Sequence, residues 1–151
     1  MIYMGIDPGL SGAIAFLNSD GRLISVFDTP IVDKNINSSE LARIISSERP
    51  EVAIIESVNA MPGQGVSSMF RFGQSFGTMI GVVSALNIPL HFTSASRWKK
   101  HFRLSADKEE ARSLAISLWP SCDKFSRKKD HGRAEAALLA RYLYETSKKP
   151  I

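Results

Sequence analysis

Apolar and polar positions alternate in distinct rhythms along this chain. Met1–Asp7 is an apolar, β-prone run that stops at Pro8-Gly9. Gly12–Leu17 is a second such run, closed by Asn18-Ser19-Asp20-Gly21, and Arg22–Asp28 follows directly. Two runs joined across a tight Asp-Gly turn predict an antiparallel hairpin, with the first strand beside it. Asn37-Ser38-Ser39-Glu40 has the residues of a helix start, and Leu41, Ile44 and Ile45 follow at helical spacing until Pro50. Val52–Glu56 predicts a short buried strand. From Gln64-Gly65-Val66-Ser67-Ser68 a long apolar segment runs to about Leu86, with Phe70, Gln74, Gly77, Gly81 and Ser84/Ala85 forming a small-residue stripe on a helix. Pro89–Phe92 is the next strand. Ser96–His101 predicts a short helix and Ala106–Leu118 a longer one, ended by Trp119-Pro120. Asp123–Asp130 reads as a basic loop, His131–Tyr144 as a helix, and Lys148-Lys149-Pro150 as a frayed tail. This order of strands and helices predicts an α/β sandwich with a mixed sheet between helices.

Composition narrows the class. A chain of 151 residues suits one domain, and at this size roughly 68–70% of the unfolded surface can be buried. The single cysteine, Cys122, excludes an internal disulfide framework and a Cys-rich metal site. There is no basic start followed by an apolar run, and no stretch near the ~20 apolar residues of a membrane span. The expectation is an intracellular, soluble protein with no membrane association. Charge is unevenly placed: Ser94–Arg133 holds eleven Lys/Arg against five Asp/Glu, a balance of +6 within a net +4. That asymmetry points to a polyanionic partner, with a plain solvated surface as the alternative.

Three acids sit where a charge is costly. Asp7 ends the first strand, Glu56 ends Val52-Ala53-Ile54-Ile55, and Glu135 precedes Ala136-Ala137-Leu138-Leu139-Ala140. A charge beside a buried run is expensive unless it is paired or metal-bound. Neighbouring strand ends converge where an α/β sheet usually binds its ligand. Two carboxylates there, with one from a covering helix, make an oxygen-rich cluster suited to Mg²⁺, with Mn²⁺ as a substitute. Two such ions activate a water and stabilise the leaving oxygen in phosphodiester hydrolysis, without a protein nucleophile.

His131 lies four residues before Glu135, on the same helical face, as a metal ligand or a water-positioning group. Asp130 is its rival, and is also suited to capping the helix N-terminus. His131 is the favoured site residue of the two. Gly9 and Gly12 leave room for a phosphate backbone to approach, or simply form a turn.

Taken in order, these motifs resemble a family. Ile6-Asp7-Pro8-Gly9-Leu10-Ser11-Gly12, Ile54-Ile55-Glu56, Trp98-Lys99-Lys100, Ala106-Asp107-Lys108-Glu109 and Asp130-His131-Gly132-Arg133-Ala134-Glu135-Ala136 resemble the successive motifs of RuvC-like Holliday-junction resolvases, across nearly the whole chain. Met61–Phe70 looks most like phage-type and chloroplast-type members. The better-known bacterial pattern has two acids three residues apart in its final motif. Here Gly132 stands at that offset from Glu135, and the His131–Glu135 pair is the expected replacement.

The resemblance implies an α/β ribonuclease-H-like fold, a mixed five-stranded β-sheet flanked by α-helices, with residues 1–151 as a single RuvC-like nuclease domain. It implies a homodimer that nicks two strands of a four-way DNA junction symmetrically, using two Mg²⁺ ions per site and no small-molecule cofactor. Asp7, Glu56, His131 and Glu135 would be the metal and catalytic residues. Lys108 would stabilise charge at the scissile phosphate. Arg71, Lys99, Lys100, Lys128 and Lys129 would hold DNA, and Met61 or Phe70 would be a candidate wedge between bases, Phe70 being equally suited to the core. The stripe on the Ser67–Leu86 helix would be a dimer face, or would pack on the protein's own sheet. The expected setting is the bacterial cytoplasm, with a phage-encoded origin also fitting. Two other functions stay open: a ribonuclease-H-like nuclease on RNA–DNA hybrids or other branched DNA, and a catalytically silent junction binder.

Overall fold

The computed structural model describes residues 1–59 and 61–148. Its chain runs through β1 (Tyr3–Asp7), β2 (Ala13–Leu17), β3 (Leu23–Asp28), β4 (Ile31–Val32), β5 (Asn35–Ile36), α1 (Ser38–Glu48), β6 (Val52–Glu56), α2 (Val66–Ala85), β7 (Leu90–Thr93), α3 (Ala95–His101), α4 (Lys108–Leu118) and α5 (His131–Ser147). Five of these strands form one sheet in the order β3-β2-β1-β6-β7. β1 pairs antiparallel with β2, and β2 with β3, whereas β1, β6 and β7 run parallel. This is the mixed five-stranded sheet flanked by helices that the sequence predicts.

Local chemistry explains the turns. Asn18 Oδ1 accepts from the backbone N–H groups of Asp20 (2.9 Å) and Arg22 (3.0 Å), and Gly21 takes a positive φ of 79°. Asn37 caps α1 by accepting from Glu40 N–H at 3.2 Å. Asp107 caps α4 by accepting from Glu109 N–H at 2.9 Å, so that helix starts at Lys108, two residues later than expected.

Both faces of the sheet are covered, and alternate residues of each central strand supply two cores. Met4, Ile6, Ile14, Phe16, Ala53 and Ile55 pack with Leu41 and Ile45 of α1 and Met79 and Val83 of α2. Tyr3, Ala13, Ala15, Leu17 and Ile54 pack on the other side with Trp98, Trp119, Phe125 and the buried face of α5. Gly5 sets the distance between β1 and α5. A Cβ there would collide with the backbone of Ala136 and Ala140, so helix and strand meet main chain to main chain. At one end of the contact the Tyr3 and Tyr144 rings stack edge-on, centroids 5.5 Å apart. At the other, Gly132 lies against Ser11 and Asp7. α5 therefore runs antiparallel to β1 and begins where β1 ends.

Three features depart from the sequence reading. β4 and β5, two residues each, form a hairpin through Asp33 and Lys34, both at positive φ, which strands so short did not announce. The basic loop closes in a 3₁₀ turn, Lys128–Asp130, that feeds α5. Lys148 is tied down, donating to the Ser19 carbonyl at 3.1 Å and to Tyr144 Oη at 2.8 Å; Lys149 and Pro150 lie outside the described residues. Among the described residues, no helix is long and apolar enough to cross a membrane.

Candidate functional site

β1 and β6 are adjacent and parallel, with Ile6 opposite Ile55, so their last residues, Asp7 and Glu56, emerge side by side. The first turns of α5 cover that edge and bring His131 and Glu135. β7 ends at Thr93, opposite Glu56, and α3 begins at once, capped by Ser94, whose Oγ accepts from Arg97 N–H at 3.2 Å. That geometry delivers Trp98 and Lys99 to the same edge, and α4 contributes its first residue, Lys108. A cleft of about 280 Å³ is lined by Asp7, Glu56, Lys99, Lys108, His131 and Glu135, with Val58 and Phe72 among its walls. Wider grooves adjoin it. One of about 480 Å³ includes Gly9, Ser68, Arg71 and Phe72, and one of about 740 Å³ includes Lys99, Lys100 and Arg103. Asp7, Glu56, His131 and Glu135 line the small cleft and neither of the wider grooves.

Burial dominates its electrostatics, and the crowding of like charge adds to it. Burial pushes the Asp7 carboxyl well above its ordinary range, Glu135 and Glu56 push it further, and Lys108 and Lys99 only partly oppose them. Glu135 is raised mainly by burial, against the pull of Lys99 and with a push from Glu56. Lys99 Nζ stands 3.9 Å from Glu135 Oε1. Trp98 Nε1–H donates to Glu56 Oε1 at 2.8 Å. Burial, aided by Lys108, lowers the pKa of His131, which keeps its imidazole neutral at pH 7 with a lone pair available. Its Nδ1 is buried with no hydrogen-bond partner, which is uncommon for a polar atom outside a functional site.

This donor set fits a hard divalent cation: clustered carboxylates that repel one another, plus a neutral imidazole with an orphaned nitrogen. The donors line one cleft but stand apart within it. Among the described residues, no three Asp, Glu, His or Cys side chains stand close enough to share one ion. Glu135 is paired with Lys99, so a cation would have to draw it in by side-chain rotation.

Asp130, the rival of His131, points elsewhere. It accepts from Arg127 N–H at 2.8 Å and from the Arg127 guanidinium, with Arg133 Nη1 3.6 Å away. Burial pushes its carboxyl up, but those hydrogen bonds and charges outweigh it and hold the pKa below the usual value. Arg133 continues to Asp28 in a two-pronged pair at 2.8 and 2.9 Å. Asp130 makes no side-chain cap to the α5 amides. It braces the entrance of α5 instead, beside a groove it shares with Lys129. Gly132, at the offset where the bacterial pattern has an acid, has no space for one: a Cβ would stand 2.9 Å from the Ser11 carbonyl and 3.2 Å from Asp7 Oδ2.

The remaining sequence candidates surround the cleft. Lys100 and Arg71 line the two wider grooves, and Lys128 is exposed on the 3₁₀ turn. Phe70 and Met61 are 72% and 66% exposed, so Phe70 is not a core residue. The stripe on α2 also faces outward: Phe70, Gln74, Gly77, Gly81, Ser84 and Ala85 are all exposed, and a Cβ on Gly77 or Gly81, or on the neighbouring Gly73, would meet nothing within 4 Å. Sequence reasoning missed Arg103 and Phe72 as lining residues, and read Trp98 only as part of a basic motif. The signal for Trp98 was present: an aromatic with a polar atom, between a strand end and two lysines.

No family model matches the chain. Among curated proteins it is 32% identical over 83 residues to the chloroplastic Holliday junction resolvase MOC1 of Chlamydomonas reinhardtii. The match takes in 53% of this chain but 9% of that protein's length. Among solved structures it resembles T. thermophilus RuvC in complex with Holliday junction substrate, with a TM-score of 0.72 and 15% identity, covering 100% of this chain and 99% of that one. Fowlpox virus resolvase bound to Holliday junction DNA follows at 0.56 and 16% identity, covering 99% and 100%. The yeast mitochondrial Holliday junction resolvase Ydc2 gives 0.55 and 18% identity, covering 94% and 77%. From end to end, the chain has the ribonuclease-H-like fold of the RuvC-type resolvases.

Proposed function

We propose that this chain is a metal-dependent endodeoxyribonuclease that resolves four-way DNA junctions by paired, symmetric nicks, with residues 1–151 acting as one nuclease domain. The observation that carries the reading is the meeting of Asp7, Glu56, His131 and Glu135 with Lys99 and Lys108 in one cleft, from segments far apart in sequence. The names of the relatives, each a Holliday junction resolvase or a resolvase bound to junction DNA, support the substrate. The groove that holds Lys99, Lys100 and Arg103 suits a phosphate backbone, and Arg71 offers one cation in the other.

Asp7, Glu56, Glu135 and His131 would hold the ions, Mg²⁺ or Mn²⁺. Two divalent ions bound there would supply an activated water and charge stabilisation for the leaving oxygen. The chain's own residues do the rest. Asp7 and Glu135, both made reluctant to ionise by burial, would be held in their charged forms by positive charge bound between them. His131 stays neutral and can receive a hydrogen bond. Lys108 is exposed at the start of α4 and stabilises negative charge growing on the phosphate oxygens. Gly9, at φ 108°, keeps the β1–β2 turn low so that a backbone can come near. Arg71, Lys99, Lys100, Lys128 and Lys129 grip phosphates, which positions the substrate without reading its sequence. Two such sites on a two-fold homodimer match a two-fold junction. The outward stripe of α2 is a surface on which a second copy could pack closely. A DNA substrate puts the enzyme in a DNA-containing compartment; the chloroplast address belongs to the relative.

The test is cleavage of a labelled, mobile four-way junction with Mg²⁺, beside linear duplex and RNA–DNA hybrid. Symmetric paired nicks in the junction alone, absent from Asp7→Asn, are expected. Cutting of the hybrid would give a ribonuclease instead, and tight binding without any cutting a silent junction binder.

A further inference from the structure

We infer that Trp98 is a positioning residue for Glu56: its indole N–H holds one carboxylate oxygen and leaves the other to face the cleft. The inference rests on the nuclease reading above. Trp98 is fully buried in the core beneath α5, and its single polar atom donates to Glu56 Oε1 at 2.8 Å, across 42 residues of sequence. A buried indole must place its N–H somewhere, so satisfying itself is the competing explanation. The other tryptophan shows the usual solution: Trp119 Nε1–H donates to a backbone carbonyl, that of Gly21, at 3.2 Å. Trp98 instead reaches a carboxylate at a strand end, on the rim of the cleft.

The backbone arranges this contact. Because β7 is parallel to β6, with Thr93 opposite Glu56, the chain leaves the sheet beside that carboxylate and turns directly into α3. Trp98 then points to Glu56, and the next residue, Lys99, lies 3.9 Å from Glu135. Successive helical side chains diverge by about 100°, so one turn of α3 reaches two acids on different elements. The two contacts differ in kind. Lys99 makes a long ion pair through a flexible stem, which an incoming cation can displace, whereas the Trp98 ring is fully buried and locked by packing. Carboxylates that bind metal are themselves oriented by hydrogen bonds from a rigid partner, and such partners govern affinity without touching the ion. Trp98 has the position, the rigidity and the single donor for that role.

The test uses the intact protein and begins with the indole ¹⁵N–¹H signals of its two tryptophans, assigned with Trp119→Phe. Adding Mg²⁺ to the metal-free protein should move the Trp98 signal and leave that of Trp119 in place. Glu56→Gln should move the Trp98 signal before any metal is added. Calorimetric titration with Mn²⁺ should then show Trp98→Phe weakening the ion by about 10- to 100-fold. It should show no further loss in the Glu56→Gln background, and unchanged junction affinity in Ca²⁺. A Trp98 signal indifferent to Glu56→Gln, Mn²⁺ affinity unchanged by Trp98→Phe, or a loss that adds in full to that of Glu56→Gln would each reduce Trp98 to a core residue. Should Trp98→Phe not fold, the indole signals of wild type and Glu56→Gln decide alone. Wild type that neither binds Mn²⁺ nor nicks a junction overturns the nuclease reading itself. Wild type that does both, with an indifferent indole, overturns only the role of Trp98.

Discussion

A single carboxylate shows the conflict built into this cleft. Asp7 is held between burial and two other acids, so its protonated form is favoured in the folded chain. A carboxyl with a folded pKa above its unfolded value binds its proton more tightly when folded. Its contribution to stability is therefore complete below the unfolded value of about 4, and is lost as pH rises through the folded pKa. In metal-free protein the stability of wild type relative to Asp7→Asn should therefore fall as pH rises from acid toward neutral. At neutral pH Asp7→Asn should gain about 0.5–2 kcal/mol while abolishing cleavage. Melting curves in chelator across pH check the first part, and the junction assay the second; a variant less stable than wild type at pH 7 would contradict this account of the cleft. Two lysines should separate just as cleanly. Lys108→Ala should lower the cleavage rate about 10²-fold with junction affinity intact. Lys100→Ala should weaken binding and reduce the slope of log affinity against log salt by about 0.9.

At the scale of elements, the decisive contact is α5 lying on β1. Gly5 allows it, Gly132 extends it to the cleft, and the Arg127–Asp130–Arg133–Asp28 chain fixes the angle at which α5 starts. Asp130 ionises more easily folded than unfolded, so its stabilisation is present above about pH 4 and is lost below, as pH falls through the depressed value. Asp130→Asn should cost about 1 kcal/mol, because Arg127 is half exposed and water screens the pair. The melting temperature should fall by about 2–4 °C at pH 7. Should Asp130→Asn instead remove Mn²⁺ binding with stability unchanged, the residue belongs to the metal site after all.

Across the whole molecule, one edge of the sheet carries the chemistry and α2 presents an unfilled stripe. Each Cβ position at Gly73, Gly77 and Gly81 opens onto empty space, so a bulky side chain there costs the lone fold little. Gly77→Arg should leave the melting temperature of the monomer within a few degrees. If α2 is the dimer face, sedimentation should show a monomer, and the junction should be nicked on one strand per encounter instead of two. An unchanged dimer would move the interface elsewhere.

Much of this protein was legible in its residues. The run ending at Asp7, the Asp20-Gly21 turn, the capped helices and the burial of Glu135 within an alanine-rich helix are local patterns, and each formed where its period and its turn residues indicated. The candidate acids were legible for the same reason, since a charge at the end of a buried run is costly wherever the run is placed. Other features have no local signature. Nothing near residue 130 says that Asp130 turns back onto Arg127 while His131 turns inward; the approach of α5 to the Ser11 loop decides it. β4 and β5, two residues each with only Ile36 buried, are too short to show a strand period. That Trp98 meets Glu56, that Lys99 meets Glu135, and that the α2 stripe faces outward all depend on parallel pairing of β6 with β7 and on which sheet face each helix covers. Sequence by itself determined which segments are helix or strand and which charges must find partners, because those are properties of neighbouring residues. Only the tertiary structure decided who the partners are, because that depends on how separate elements stack across one sheet.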